Sequence, residues 1–222
     1  MHIKALTLYT SQIEKQCRFY GEVLGLQVRQ VSDGSYRFRL GETFVRLQAA
    51  PNAQPYHFAI NIPHNQSKAA LAWLKERVEV LTFEGHEIQD FSNWQADAIY
   101  FYDEDQNIVE LIARRTLANA SEDTFGPHSM LEVSEIGMPT LNIEAKYHLI
   151  LAQLGLPIYD GSFERFCAIG DEHGLFICID KSKKKWFPTN DEAWSANFEA
   201  LIDNGAHTFS VSFQDDKLLI ED

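Results

Sequence analysis

An offset of 130 residues relates two stretches of this chain, and no other feature restricts its fold as much. Ile13, Cys17, Tyr20 and Leu24 fall at the 4-3-4 intervals of one helical stripe, and Ile143, Tyr147, Ile150 and Leu154 repeat them. Both stripes close on the same stop signal, Leu24-Gly25-Leu26 and Leu154-Gly155-Leu156. The glycine of each can take the left-handed conformation that ends a helix, and Ser11 can cap the start of the first. A helix repeated together with its terminator implies copies of one supersecondary unit.

The residues around each helix show what that unit is. Residues 3 to 9 alternate as a two-faced strand, and Tyr36–Leu40 and Phe44–Leu47 flank a tight turn at Gly41-Glu42, giving β-α-β-β. The pattern begins again at His57–Ile62. A helix is predicted over Ser67–Val78, and strands over Ala98–Tyr102 and Ile108–Ala113, separated by the acidic turn Asp103–Asn107. Two units thus fill residues 1–115, and the small, polar, Gly-Pro-broken stretch 116–130 reads as a linker. In 131–222, the repeated helix precedes a hairpin of Cys167–Gly170 and Leu175–Ile179. A helix is then predicted over Asp191–Ile202, with two short strands within His207–Ile220, so the last unit is abbreviated.

Composition narrows the functions available. A formal charge of −13 over 222 residues opposes binding of the whole molecule to nucleic acid or an anionic membrane. No window reaches the length of a membrane span, and the start lacks the pattern of a signal peptide. Cys17, Cys167 and Cys178 suggest neither a disulfide framework nor a cysteine metal site, so a cytoplasmic protein is expected. No G-x-S-x-G, G-x-G-x-x-G or Walker loop occurs, which gives no support to covalent catalysis or a nucleotide cofactor.

Phe19-Tyr20, Leu24-Gly25-Leu26, His57-Phe58-Ala59-Ile60 and the segment Phe101–Leu111, which ends in Glu110-Leu111, stand in an ordered series. That series resembles the vicinal oxygen chelate superfamily of glyoxalases, bleomycin-resistance proteins and extradiol dioxygenases. The likeness covers residues 1–115, with 130–222 resembling a divergent second pair of modules. It implies an α+β fold of tandem βαβββ modules, with curved mixed sheets around a cleft, helices outside, and one metal held by inner-face residues of several strands. His57 and Glu110 stand at two of the family's ligand positions, whereas Ala5 and Arg46 occupy the positions of a usual His and, in glyoxalase I, a Glu. For the two-His, one-Glu triad of the extradiol enzymes, Ala5, His57 and Glu110 give two of three. Tyr100 matches the tyrosine of the extradiol signature, while Glu104 replaces its Pro, Gln106 its Gly, and Asn93 falls where an upstream His could be.

Three functions follow from these residues. The first is a metal-dependent lyase or ring-cleaving dioxygenase, with His57 and Glu110 holding iron, zinc, nickel or manganese and Tyr100 and Glu110 as catalytic candidates. The second is a metal-free small-molecule binder, in which an Arg46–Glu110 ion pair replaces the metal and Thr7, Tyr9 and Arg46 contact the ligand. The third makes the C-terminal half an interaction module, through the aromatic residues Trp186, Phe187, Trp194 and Phe198, and leaves a homodimer open. Plainer roles are expected elsewhere. Tyr100 suits a strand aromatic, Glu135, at the place of Ala5 in the second half, a structural or solvated carboxylate, and Lys181–Lys185 a solvated hairpin end. His64, His86, His148, His173 and His207 have no partner at metal-ligand spacing.

Overall fold

The computed structural model describes residues 1–222. The first module comprises β1 (His2–Thr10), α1 (Ile13–Arg18), β2 (Arg29–Gln30), β3 (Tyr36–Leu40) and β4 (Thr43–Ala49). A π-helical turn at Phe19–Val23 continues α1, and the later stripe members Tyr20 and Leu24 are buried. The second module comprises β5 (His57–Ile62), α2 (Ser67–Lys75), β6 (Val80–Leu81), β7 (Gln89–Phe91), β8 (Ala96–Tyr102) and β9 (Ile108–Arg114). The third comprises β10 (Glu132–Thr140), α3 (Ile143–Leu154), β11 (Ile158–Ser162), β12 (Phe166–Asp171) and β13 (Gly174–Asp180). Gly25 and Gly155 both adopt positive φ, +71° and +69°, as the repeated stop signal requires.

In these three modules the first strand pairs in parallel with the last, β1 with β4, β5 with β9 and β10 with β13. Parallel neighbours need a crossover, and the helix of each module lies within it. The last module has none. It is the antiparallel meander β14 (Phe198–Asp203), β15 (Thr208–Gln214) and β16 (Lys217–Glu221). The helix predicted over Asp191–Ile202 does not form. Phe198, Ala200 and Ile202 are buried while Glu199 and Leu201 face out, so the two-residue period of a strand prevails there. α2 is also shorter than predicted, ending at Lys75.

Modules join through their first strands, and not in chain order. The order β16-β15-β14-β1-β4-β3-β2 unites the first and last modules, and β11-β12-β13-β10-β5-β9-β8-β6 unites the second and third, with β7 on the outer side of β8. Each sheet therefore draws strands from both sides of residues 116–130, and the division of the chain at that stretch does not coincide with the division into sheets. Phe125 and Met130 of the stretch are buried in a core shared by both sheets, with Leu6 and Leu8 from one and Phe58, Ile60 and Ile136 from the other. No helix is long and apolar enough to cross a membrane.

Each sheet carries a bulge at the corresponding place, at Lys4 in β1 and at Ser134 in β10. Thr43 ties the two regions together. Its hydroxyl donates to the Ile3 carbonyl at 2.7 Å and accepts from the Val133 N–H at 2.9 Å, all three residues being buried. Thr43→Val keeps the shape but leaves the Val133 N–H without an acceptor. Urea unfolding should show a loss of about 1–3 kcal/mol, and an unchanged midpoint would contradict this role for the hydroxyl.

Candidate metal centre

Strand register brings the site together. Across the second sheet, Tyr100 on β8 lies opposite Glu110 on β9, Glu110 opposite Ala59 on β5, and Ala59 opposite Glu135 on β10. His57 is two residues from Ala59 and shares its face. The side chains of His57, Glu110 and Glu135 are buried, and one donor atom from each lies within 4.8 Å of the others. The His57 Nε2 is 3.6 Å from Glu110 Oε2 and 3.9 Å from Glu135 Oε2.

Burial sets the protonation of this group. It lowers the His57 pKa to about 4, so the ring is neutral near pH 7. Its Nδ1 lies 3.2 Å from the Ile108 carbonyl, which can only accept. The proton therefore belongs on Nδ1, and the Nε2 lone pair faces the two carboxylates, the tautomer a metal ligand needs. Burial and then the neighbouring Glu135 push the Glu110 carboxyl up. Glu135 is also raised by burial, against the pull of Arg114, whose Nη2 meets Glu135 Oε1 at 2.5 Å. Arg114 is fully buried, and its Nε donates to Asn61 Oδ1 at 3.2 Å. Both carboxyls are pushed up because ionising the two of them beside a single buried guanidinium is costly, and a divalent cation among the oxygens and Nε2 would offset that cost. The donor set therefore fits a metal.

A two-fold relation runs through the β5–β10 pair, exchanging His57 with Glu135 and Ala59 with Gly137. By register it places Ile177 opposite the role of Glu110, and Ala168 opposite that of Tyr100. The second module thus supplies His57, Glu110 and Tyr100, and the third only Glu135. Where a fourth ligand would stand there is an isoleucine, so an ion here would keep positions for other ligands.

The cluster forms the floor of a cavity of about 580 Å³. Phe91, Trp94, Phe166, Trp186 and Phe187 supply aromatic walls, and Asn93 and Lys184 also line it. The Trp186 ring lies 4.8 Å from the His57 ring. Gly137 makes room for it, because a Cβ there would come within 2.8 Å of the indole. Lys183 and Lys185 pair with Asp180 and Glu192, but Lys184, half-buried, has no carboxylate partner; its ammonium lies 4.2 Å from the centre of the Phe166 ring. The basic stretch expected to be wholly solvated thus sends one cation into the cavity.

Of the residues singled out in the sequence, His57, Glu110 and Tyr100 share this cavity, whereas Thr7, Tyr9 and Arg46 lie on the other sheet. The Arg46–Glu110 ion pair does not form. Arg46 Nη2 binds Asp33 at 2.5 Å and its Nε donates to Ser35 at 2.9 Å, while Tyr9 donates to Glu199 at 3.0 Å. The reason is topological: β4 belongs to the first-and-last-module sheet and β9 to the other. Glu135, read as structural or solvated, is instead the third member of the cluster. The 130-residue offset had already put it at the first-strand ligand position.

Residues 2–114 match the family model described as Glyoxalase/Bleomycin resistance protein/Dioxygenase superfamily. No curated protein matches the chain in sequence. Among solved structures, one described as a "putative dioxygenase" from Bacillus subtilis aligns with a TM-score of 0.59 and 16% identity, covering 81% of this chain and 63% of its own. Glyoxalase I from Zea mays aligns with a TM-score of 0.53 and 16% identity, covering 80% of this chain and 66% of its own. At such identity these likenesses concern the fold, and the chain spans less than two thirds of either protein's length. With half of the chain matched by the family model and the tandem-module architecture in place, the chain belongs to the glyoxalase, bleomycin-resistance and dioxygenase superfamily.

Proposed function

We propose that this protein is a metal-dependent enzyme that acts on a small anionic substrate with two adjacent oxygens, and that ring-cleaving dioxygenase chemistry suits it best. One observation carries the reading: His57, Glu110 and Glu135 converge on one point from three neighbouring strands, with Ile177 in place of a fourth ligand. Non-haem iron(II) oxygenases hold their metal with three ligands on one face, two imidazoles and a carboxylate. Here Glu135 stands in for one imidazole, and two carboxylates with one imidazole still favour iron(II) or manganese(II) over softer ions. A divalent ion held there would polarise the substrate's vicinal oxygens.

The chain's own residues supply the rest. Nδ1 bonding to Ile108 fixes the His57 ring, and Arg114 fixes Glu135. Burial and then the nearby Glu110 keep the Tyr100 hydroxyl protonated, so it can donate to a substrate oxygen on the Glu110 side. The aromatic walls exclude water and accept a flat ring. Lys184, without a carboxylate of its own, can bind an anionic substituent. The metal-free alternative rested on Arg46 neutralising Glu110, and Arg46 is engaged with Asp33 on the other sheet.

Two experiments test this reading. Chelated protein reloaded anaerobically with iron(II) or manganese(II) should bind one equivalent more with His57 and Glu135 intact than after His57→Ala or Glu135→Gln. Equal uptake by all three proteins would defeat the assignment, and no uptake by any would favour a metal-free binder. With reloaded protein, oxygen consumption on catechols should depend on Lys184 only where the catechol carries a carboxylate. For that compound Lys184→Met should raise KM roughly tenfold or more, the loss expected for one charge-assisted contact. An equal effect on the neutral catechol would remove Lys184 from substrate binding.

A further inference from the structure

A second group of metal-ligating side chains lies apart from this cavity, where the start of β1, the start of β10 and the β12–β13 turn meet. The Nδ1 atoms of His2 and His173 face opposite oxygens of Glu132, at 3.1 Å from Oε2 and 2.7 Å from Oε1. The two rings are 4.8 Å apart. His173, which had no partner at ligand spacing in the sequence, thus acquires two through the fold.

Three features hold these groups in place before any ligand arrives. First, the bulge at Ser134 puts Glu132 opposite Asn61 and Glu135 opposite Ala59, so that two carboxylates three residues apart share one face. Second, Asn61 Nδ2 donates to Glu132 Oε1 at 3.0 Å and to the Glu172 carbonyl at 2.9 Å, fixing both the carboxylate and the turn that bears His173. Third, that turn presses on the chain start. A Cβ on Gly174 would come within 2.7 Å of Met1. Glu132 is nearly buried, whereas the His2 and His173 side chains are 41% and 45% exposed, so the site has a fixed floor and an open mouth.

We propose that His2, Glu132 and His173 form a second metal site, which takes a zinc ion with water completing the coordination. Two imidazoles and one carboxylate are a donor set suited to zinc, and three protein ligands with an open position give the usual four-coordinate arrangement. Binding needs each ring neutral, with its proton on Nε2 toward solvent and the Nδ1 lone pair on the ion. The ion would clamp the first residues of one sheet to the base of β10 in the other. The site is independent of the central cavity and of the chemistry assigned to it.

Tag-free, chelator-treated protein titrated with zinc against a chromophoric competitor tests this directly. His173→Ala, at a half-exposed position outside the core, should bind one equivalent fewer than the unaltered protein, and His2→Ala should show the same loss. The unaltered protein should gain thermal stability with zinc at this site, and both variants should lose that part of the gain. The difference between proteins is informative whether or not the central cluster also takes zinc. Identical stoichiometry in all three would overturn the site and leave the cluster a hydrogen-bonded His–Glu–His latch.

Discussion

The antiparallel pairing of β5 with β10, interrupted by one bulge, is the constraint on which the rest of this molecule depends. It brings a carboxylate from the third module beside a histidine and a carboxylate from the second. A register slip of one residue along that pair would turn Glu135 away from the cavity and into the apolar core. The bulge at Ser134 is what allows Glu132 and Glu135 to face the same way despite their odd spacing. Thr43 anchors the segment just before that bulge to the other sheet, so the placement of the cluster is coupled to the contact between sheets.

Buried charge makes this arrangement informative about function. A core gains nothing by enclosing two carboxylates and a guanidinium, since replacing such groups with apolar ones is often neutral or stabilising. Here they lie under an aromatic-walled cavity, with a neutral imidazole presenting its lone pair to them. The corresponding region of the other sheet differs. Its Ala5 and Thr7 offer no metal ligand, and Arg46 stands at the position related by register to Glu110. One sheet thus carries a donor set of the kind an ion needs, whereas the corresponding positions of the other do not.

The sequence was most legible where information is local. The two-residue and 3.6-residue periods located the strands and the repeated helices, and the ordered motifs identified His57, Glu110 and Tyr100. Pairing between modules was not legible, because it depends on contacts between residues 57–62 and 132–136, which no local period records. The first and second modules were therefore taken to share a cleft, which put Arg46 beside Glu110 and left Glu135, in the third, out. Lys184 was hidden for a related reason: in a run of lysines, only the fold shows which one turns inward. At Phe198–Asp203 the aromatic spacing fitted a helix, but antiparallel pairing with β1 and β15 imposes a strand.

The central claim is that three side chains from the second and third repeats hold one ion. Diffraction from crystals loaded with manganese(II), with anomalous differences measured from the metal, tests it most directly. The account predicts a single strong peak in the cavity, bonded to His57 Nε2 and to one oxygen each of Glu110 and Glu135, with Arg114 still on the other Glu135 oxygen. A cavity without a peak in crystals that take up manganese elsewhere, or a peak that leaves Glu135 uncoordinated, would contradict it.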